Sequence, residues 1–285
     1  MIELGELRDP VVVAAFEGWN DAAEAATGAI DHLVEAWKAQ LVGAVDPEDY
    51  YDFQVNRPTV GFDGNDTGGI RRRITWPTTR VYVASPDGLD HDVVLVRGIE
   101  PNIRWRAFCA ELLAGIDDAG ARVVVVLGAL LADSPHTRPI PVTATSADPE
   151  LAEAWDLEPS RYEGPTGITG VFADACGRVG IPAVSIWAAI PHYIAHPPCP
   201  KATLALLGKA EELLEFTYPE GDLPEQARAW QRGADELSAE DPEVAEYVAT
   251  LEEQRDTTEL PEASGDAIAA AFERYLRRRN TDRPD

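Results

Sequence analysis

Two histidines four residues apart, His192 and His196, are the first candidates for chemistry in this sequence. On a helix, this spacing places both imidazoles on one face, where they can bind a metal ion. Pro191, Pro197 and Pro198 exclude a continuous helix here, because proline removes a backbone donor and clashes with the preceding turn. We therefore expect no metal and interpret His192 as a ligand-binding candidate. Alternatively, both histidines only hydrogen bond to the loop backbone.

A second group, Asp133, His136 and Arg138, follows the apolar run VVVVL. An aspartate beside a histidine can orient the imidazole for acid–base chemistry. An arginine can hold a carboxylate or phosphate through two parallel hydrogen bonds. These residues are therefore ligand-binding candidates, although the same three side chains could instead hold a long loop together.

Arg97, Glu100 and Arg104 form a third group after the run VVLV. A glutamate between two arginines fits an anion site, and it fits a structural ion-pair network equally well. Both interpretations stay open on the sequence alone.

A fourth group, Glu17, Asn20 and Asp21, follows the first apolar run. The backbone amides of the helix expected to begin there can receive an anion. Acidic side chains at that point do not by themselves favour a phosphate.

The segment YEGPTGITG, with Tyr162 and Thr166, resembles an anion-binding loop before a helix. It lacks the lysine and the spacing of a Walker loop, and the chain contains neither a GxGxxG motif nor a GxSxG motif. We therefore expect no nucleotide-type cofactor and assign no catalytic residue, so whether the protein is an enzyme stays open.

Buried strands alternating with helices must position these groups. Short apolar runs predict the strands, and amphipathic segments predict the helices. The predicted strands are 11–16, 71–76, 80–84, 93–96, 123–127, 142–145 and 183–187. The predicted helices are 22–40, 104–119, 148–155, 168–179 and 200–216, and Asn20 or Asp21 is expected to cap the first of them. We expect 41–69 to be rich in loops, and 71–76 to form a hairpin with 80–84.

This alternation predicts an α/β fold with a mostly parallel or mixed central sheet flanked by helices. In such folds, ligands bind in a crevice at the carboxyl ends of the strands. Nine candidates are therefore expected to converge there: Glu17, Asn20, Arg97, Glu100, Asp133, His136, Tyr162, Thr166 and His192.

The character of the sequence changes after residue 218. From residue 211 to the end there are 21 acidic and 8 basic residues, a net charge of −13. Helices are predicted at 222–237, 242–255 and 265–279. We expect an α/β core domain at 1–218 and an acidic helical appendage at 219–285, whose last residues are disordered.

Composition excludes several classes of function. The net charge of −26 argues against nucleic-acid binding and against anionic membrane surfaces, because both require basic patches. Three cysteines are too few and too scattered for a disulfide framework, and Cys109 and Cys176 are expected in the core. No apolar stretch approaches the length of a membrane span, and no secretory leader is present, so we expect a cytoplasmic protein.

Five separated motifs, in order, resemble the bacterial branch of the proteasome assembly chaperone 2 family. They are AAFEGWNDAAEAA, VRGIEPNIRWRAF, LGALLADSPHTRPIPVT, YEGPTGITGV and SIWAAIPHYIAHPPCPKATLALL. The resemblance implies a phosphorylase/hydrolase-like α/β fold, proteasome subunits as protein partners, and self-association. It also implies a non-enzymatic assembly role. Archaeal relatives carry a C-terminal hydrophobic–Tyr–any motif, whereas this chain ends NTDRPD, so docking of that kind is not expected.

The polar and aromatic composition of the loops keeps an alternative open. A crevice at the carboxyl ends of the strands could bind a small molecule, either nucleoside-like or anionic, with or without catalysis.

Overall fold

The computed structural model describes residues 2–64, 70–160 and 162–259, and an eight-stranded mixed sheet forms its centre. The strands are β1 (Val11–Glu17), β2 (Gln40–Ala44), β3 (Thr59–Gly64), β4 (Ile70–Thr75), β5 (Arg80–Ala84), β6 (Val93–Ile99), β7 (Val123–Ala132), β8 (Val142–Ser146), β9 (Glu158–Pro159) and β10 (Ala183–Pro191). In the large sheet their order is β2-β5-β6-β1-β7-β10-β8-β9, and β3 and β4 form a separate pair.

The four central strands, β6, β1, β7 and β10, run parallel. Strand β1 is in register with both neighbours, since Val11 pairs with Val93 on one side and with Val123 on the other. Strands β5 and β8 join this parallel block antiparallel, β2 is antiparallel to β5, and β9 is parallel to β8. The predicted α/β class with a mixed sheet is confirmed.

The helices cover both faces of the sheet, as the unbroken apolar runs require. They are α1 (Ala25–Ala36), α2 (Trp105–Asp118), α3 (Pro149–Ala154), α4 (Ile168–Arg178), α5 (Pro200–Leu214), α6 (Leu223–Glu240) and α7 (Pro242–Glu259). Alternate residues of β1 enter opposite core layers: Val11 and Val13 share one layer with α1 and α5, and Val12 shares the other with α2 and α4. A strand buried on both faces needs apolar residues throughout, and VVVAAF meets this need.

The cysteines lie inside these layers. Cys109, Cys176 and Cys199 are all buried free thiols. Burial raises the pKa of Cys109 and Cys199 to about 11 and the pKa of Cys176 to about 12.

The predicted hairpin of 71–76 with 80–84 is wrong. Strand β4 pairs with β3, while β5 pairs with β2 and β6. Strands β2 and β3 also occupy parts of 41–69, which the sequence predicted as loop-rich. Whether these segments form strands, and with which partners, depends on pairing with distant segments, which the local sequence pattern does not indicate.

Two long helices follow the α/β body. Helix α6 packs on α5, and α7 packs on α6. The division of the chain at residue 218 stays a prediction, and the predicted helix at 265–279 and the disordered last residues lie outside the described residues. Within the described part of the chain, no helix is long and apolar enough to cross a membrane.

Candidate functional site

The loops after β1 and β6 meet the start of α4 at one buried node. The Asn20 side-chain amide donates to Glu100 Oε1 (3.1 Å), and its oxygen accepts from Thr169 Oγ1 (3.1 Å). Glu100 Oε1 also accepts from the backbone N–H of Ile168 (2.8 Å), the first residue of α4. A carboxylate there satisfies a free donor and faces the positive end of the helix dipole.

Two glycines allow this close approach. A Cβ on Gly167 would stand 2.0 Å from Asn20 Oδ1, so any larger residue would expel the asparagine. Gly18 has a φ of +126°, and a Cβ there would meet Glu100 Cβ at 3.2 Å. The glycines thus serve the node by leaving room for Asn20 and Glu100.

Asp21 organises the beginning of α1. Its Oδ1 accepts from the backbone N–H groups of Ala26 (2.7 Å) and Thr27 (3.2 Å), and Thr27 Oγ1 donates to Oδ2. Burial raises the pKa of Asp21, and these hydrogen bonds oppose the shift. They also stabilise a turn in which Ala23 (φ +52°) and Glu24 (φ +55°) adopt the left-handed conformation. Asp21 thus caps the amino end of α1, whereas Asn20 bonds to Glu100 and Thr169.

Arg97 lies between two carboxylates. Its Nη1 donates to Glu17, and its Nε donates to Asp31 Oδ1 (3.0 Å). Burial disfavours the charge, but the hydrogen bonds and charges of Asp31 and Glu17 together raise the pKa of Arg97. The guanidinium therefore stays charged and serves an ion-pair network.

A second cluster surrounds the loops after β7 and β10. Tyr247 of α7 donates to Asp133 Oδ1 (2.9 Å), and His192 Nε2 lies 3.0 Å from the same hydroxyl and 3.3 Å from Asp133 Oδ1. Asp133 and His192 are thus brought together, and α7 covers them on one side.

His136 is almost fully buried in the same region. Its Nδ1 lies 2.8 Å from the Tyr193 hydroxyl, and its Nε2 lies 3.2 Å from Asp235 Oδ1 of α6. Burial lowers the pKa of His136, and Asp235 opposes the shift. Lys201 Nζ donates to the backbone oxygens of His136 and Arg138, which fixes the loop that carries them.

Arg138 forms a fork with α7. Its Nε and Nη2 donate to the two oxygens of Asp256 (2.8 and 2.7 Å), and its Nη1 donates to Glu252 Oε1 (3.1 Å). The hydrogen bond with Arg138 lowers the pKa of Asp256. This planar pairing uses the donors that a ligand carboxylate would need.

The remaining candidates are exposed. Arg104 pairs with Asp49, and its guanidinium carbon lies 5.6 Å from the centre of the Tyr50 ring. Tyr162 donates to its own loop at Pro165 O (2.7 Å), and the Thr166 hydroxyl makes a weak contact with Gly167 O (3.5 Å).

Nine of the twelve predicted residues therefore fall into two contact clusters. Glu17, Asn20, Asp21, Arg97 and Glu100 lie around the starts of α1 and α4. Asp133, His136, Arg138 and His192 lie against α6 and α7. Convergence on one crevice of the nine candidates named in the sequence analysis, which include Tyr162 and Thr166, stays a prediction.

Sequence reasoning missed the partners on neighbouring elements. These are Asp31, Thr169, Tyr193, Lys201, Asp235, Tyr247, Glu252 and Asp256. Most are charged residues on helices, where a solvated surface is the ordinary expectation. Only the excess of acid in α6 and α7 hinted that arginine and histidine partners were required.

Large apolar side chains stand in water at the same end of the sheet. Trp19, in the loop after β1, is 97% exposed. Leu130 and Leu131, at the end of β7, are 42% and 51% exposed. Asp21 bridges to Ala129 in parallel pairing, which brings the Trp19 loop beside the end of β7. We call Trp19, Leu130 and Leu131 the apolar rim; it resembles a protein-contact surface more than a catalytic one.

A groove of about 520 Å³ runs along α1. Glu24, Asp31, Glu35 and Asp222 line it, together with Arg97. Most of the charged residues that line it are acidic, which suits a cationic ligand better than an anionic one. In the described ranges, no cluster of three or more histidine, cysteine or acidic residues has the geometry to hold a metal ion.

The comparisons with known proteins agree with one another. A family model described as the PAC2 family matches residues 15–238. A PAC2 family protein from Streptomyces avermitilis is 59% identical, with a TM-score of 0.79, over 84% of this chain and 100% of that one. A proteasome-assembly chaperone homologue from Mycobacterium tuberculosis is 54% identical, with a TM-score of 0.75, over 84% of this chain and 99% of that one.

A more distant structure shares the fold alone. PbaB, an archaeal proteasome activator from Pyrococcus furiosus, is 15% identical, with a TM-score of 0.62, over 83% of this chain and 96% of that one. The comparison with curated proteins finds no match.

Proposed function

The chain belongs to the PAC2 family, and we propose that it acts as a non-enzymatic protein-binding and assembly factor, with proteasome subunits as its partners and with self-association. The name of the 54% identical mycobacterial relative, a proteasome-assembly chaperone homologue, supports this choice of partner.

The apolar rim is the observation that carries the proposal. A tryptophan that is 97% exposed contributes no burial energy to the stability of the free protein. Burial of such a ring against a partner contributes strongly to association. The rim follows two strands of a rigid sheet, so a partner would meet a preformed surface. Preformed surfaces lose less conformational entropy on binding.

The polar candidates also support a binding role over a chemical one. Asn20 and Glu100 complete the start of α4, Arg97 is paired with two carboxylates, and Arg138 is paired with α7. Each group thus has a structural task that accounts for its residue type.

Binding to proteasome α subunits tests the proposal. The probe is the purified α subunit of the same organism, immobilised for biolayer interferometry. Wild type should bind, and each of the two variants Trp19→Ala and Leu131→Ser should weaken binding by about tenfold or more. Both variants should keep the wild-type thermal midpoint, because both side chains are exposed.

Val179→Ser is the matched control. Val179 is 49% exposed and lies between α4 and the amino end of β10, so it is at the other end of the strands from the apolar rim and binding should not change. Absence of wild-type binding, or equal binding by the rim variants, would contradict the proposal.

The groove along α1 favours a second candidate function, small-molecule binding. Its volume suits a metabolite-sized ligand. A thermal-shift screen of metabolites should then give saturable stabilisation, and Glu35→Gln should reduce it for a cationic ligand. Stabilisation that is unchanged in Glu35→Gln would place the ligand elsewhere, and no stabilisation would remove this candidate.

A further inference from the structure

The apolar rim faces water when no protein partner is bound to it. Trp19 is almost fully exposed, and Leu130 and Leu131 are each about half exposed. Contiguous apolar side chains of this kind mark a contact surface. An apolar segment of the same chain that reaches the rim would gain burial free energy by covering it.

A segment near the end of the chain has the pattern of such a cover. Residues 265–279, which lie outside the described residues, read GDAIAAAFERYLRRR, and we call them the C-terminal segment. Ile268, Phe272, Tyr275 and Leu276 recur at intervals of one, three and four, so on a helix they share one face. An amphipathic helix of this kind requires an apolar surface on which to pack.

The charge of the C-terminal segment complements that of the rim. The stretch 273–279 contains four arginines and one glutamate, a net charge of +3, in a chain of net charge −26. Glu17 is two residues before Trp19, and Asp133 is two residues after Leu131. The side chain of Asp133 is 74% exposed. Arginines at the end of an apolar helix can therefore pair with carboxylates beside the apolar rim.

Helix α7 carries the C-terminal segment within reach of the rim. Tyr247 of α7 donates to Asp133, which is two residues from Leu131, and α7 ends at Glu259. The twelve residues from Tyr247 to the end of α7 rise by about 18 Å, and a returning helix of fifteen residues spans about 22 Å. The five residues 260–264 are enough for the connection between two such helices. A helix that returns beside α7 therefore reaches the level of Asp133 and Leu131.

We infer that the C-terminal segment packs on the apolar rim of its own chain and competes there with proteasome α subunits. Attachment through a short connection gives an effective concentration on the order of millimolar, which favours the rim of the same chain over that of a second copy. The competition rests on the proposed function, whereas the packing of the segment on the rim does not. Because only the uncovered form binds, covering the rim raises the apparent dissociation constant of the partner.

Hydroxyl-radical footprinting of the full chain, with peptide mass spectrometry, tests the packing through the oxidation rate of Trp19. In the double variant Phe272→Ser, Leu276→Ser, Trp19 should be oxidised about threefold or more faster than in wild type, which corresponds to a rim covered in about two-thirds or more of wild-type molecules. Ala270→Ser is the matched control, because Ala270 lies on the opposite face of the same predicted helix, and it should leave the rate unchanged. Equal rates in wild type and the double variant would overturn the inference.

Dilution of wild type separates its own segment from that of a second copy. Cover by the same chain does not depend on protein concentration, so the oxidation rate of Trp19 should stay constant over an approximately hundredfold dilution. A rate that rises on dilution would overturn the assignment to the same chain.

Binding to the immobilised α subunit tests the competition separately. The double variant should bind with a dissociation constant about threefold or more below that of wild type, in proportion to the change in the oxidation rate. Equal affinities would overturn the competition. Binding by neither protein, together with faster oxidation in the double variant, would contradict the proposed function and leave the packing of the segment supported.

Discussion

The Asn20 node gives the sharpest prediction for stability. Asn20→Ala removes the amide that joins the β1 loop to Glu100 and to Thr169. Asn20 and Thr169 are both buried, so water cannot readily replace the lost partners. The perturbation is therefore the loss of two side-chain hydrogen bonds, one of them to a carboxylate.

The magnitude follows from the type of each bond. A hydrogen bond to a charged group contributes roughly 1.5–3 kcal/mol, and a neutral one roughly 0.5–1.5 kcal/mol. The variant should therefore lose about 2–4 kcal/mol in the free energy of unfolding. For a chain of this length, the thermal midpoint should fall by roughly 5–10 °C.

The assay is urea unfolding monitored by tryptophan fluorescence. Thr169→Val is the matched control, because it removes only the hydroxyl and keeps the shape, and it should cost about 1 kcal/mol. The double variant should cost less than the sum of the two single variants, because both remove the same bond. A loss below about 1 kcal/mol for Asn20→Ala, or additive losses, would refute the assigned role of the node.

Three further predictions concern α6, α7 and the cysteines. Arg138→Ala should speed limited proteolysis within α7, because its ion pairs with Asp256 and Glu252 are lost. Arg178→Ala, which removes an exposed ion pair elsewhere, should leave the rate as in wild type, and equal cleavage rates for the two variants would contradict the prediction. Burial lowers the pKa of His136, so its contribution to stability is present above pH about 6.5 and is lost as the pH falls below that value. Urea unfolding should therefore give a lower free energy of unfolding at about pH 5.5 than at about pH 7.5. The difference between the two pH values should be smaller for His136→Gln. The three buried cysteines should resist iodoacetamide in the native protein and react once it unfolds, because burial raises the pKa of each thiol; rapid native alkylation would contradict the described packing.

The parallel centre of the fold was predictable from sequence. The runs VVVAAF, VVLV and VVVVL are apolar at every position, which only a strand covered on both faces requires. The helices begin at residues that are recognisable in the local sequence as helix starts, such as Pro200 at the first position of α5.

The antiparallel edge was not predictable in the same way. Strand β2, QLVGA, is short, exposed and contains glycine, so it carries no clear pattern. The proline turn between 76 and 80 looked like a hairpin, yet β5 finds its partners about 40 residues upstream and 15 residues downstream. Such choices depend on the whole sheet.

The candidate residues could be named from the sequence, but their partners could not. The candidate residues were found because polar groups after buried strands are unusual. Their partners lie far away in sequence: Arg97 pairs with Asp31, 66 residues upstream, and Arg138 pairs with Asp256, 118 residues downstream. No local pattern encodes those distances.

The shared hydrogen bonds of Asn20 and Glu100 also have a consequence for dynamics. The β1 loop, the β6 loop and the first turn of α4 share one carboxylate and one amide, so opening any one of them breaks hydrogen bonds to the others. Local opening there requires several bonds to break together, so these segments should fluctuate as one unit and rarely. A partner that binds Trp19 would consequently also restrain α4, so binding at the apolar rim would affect the mobility of elements on the face of the sheet that α4 covers.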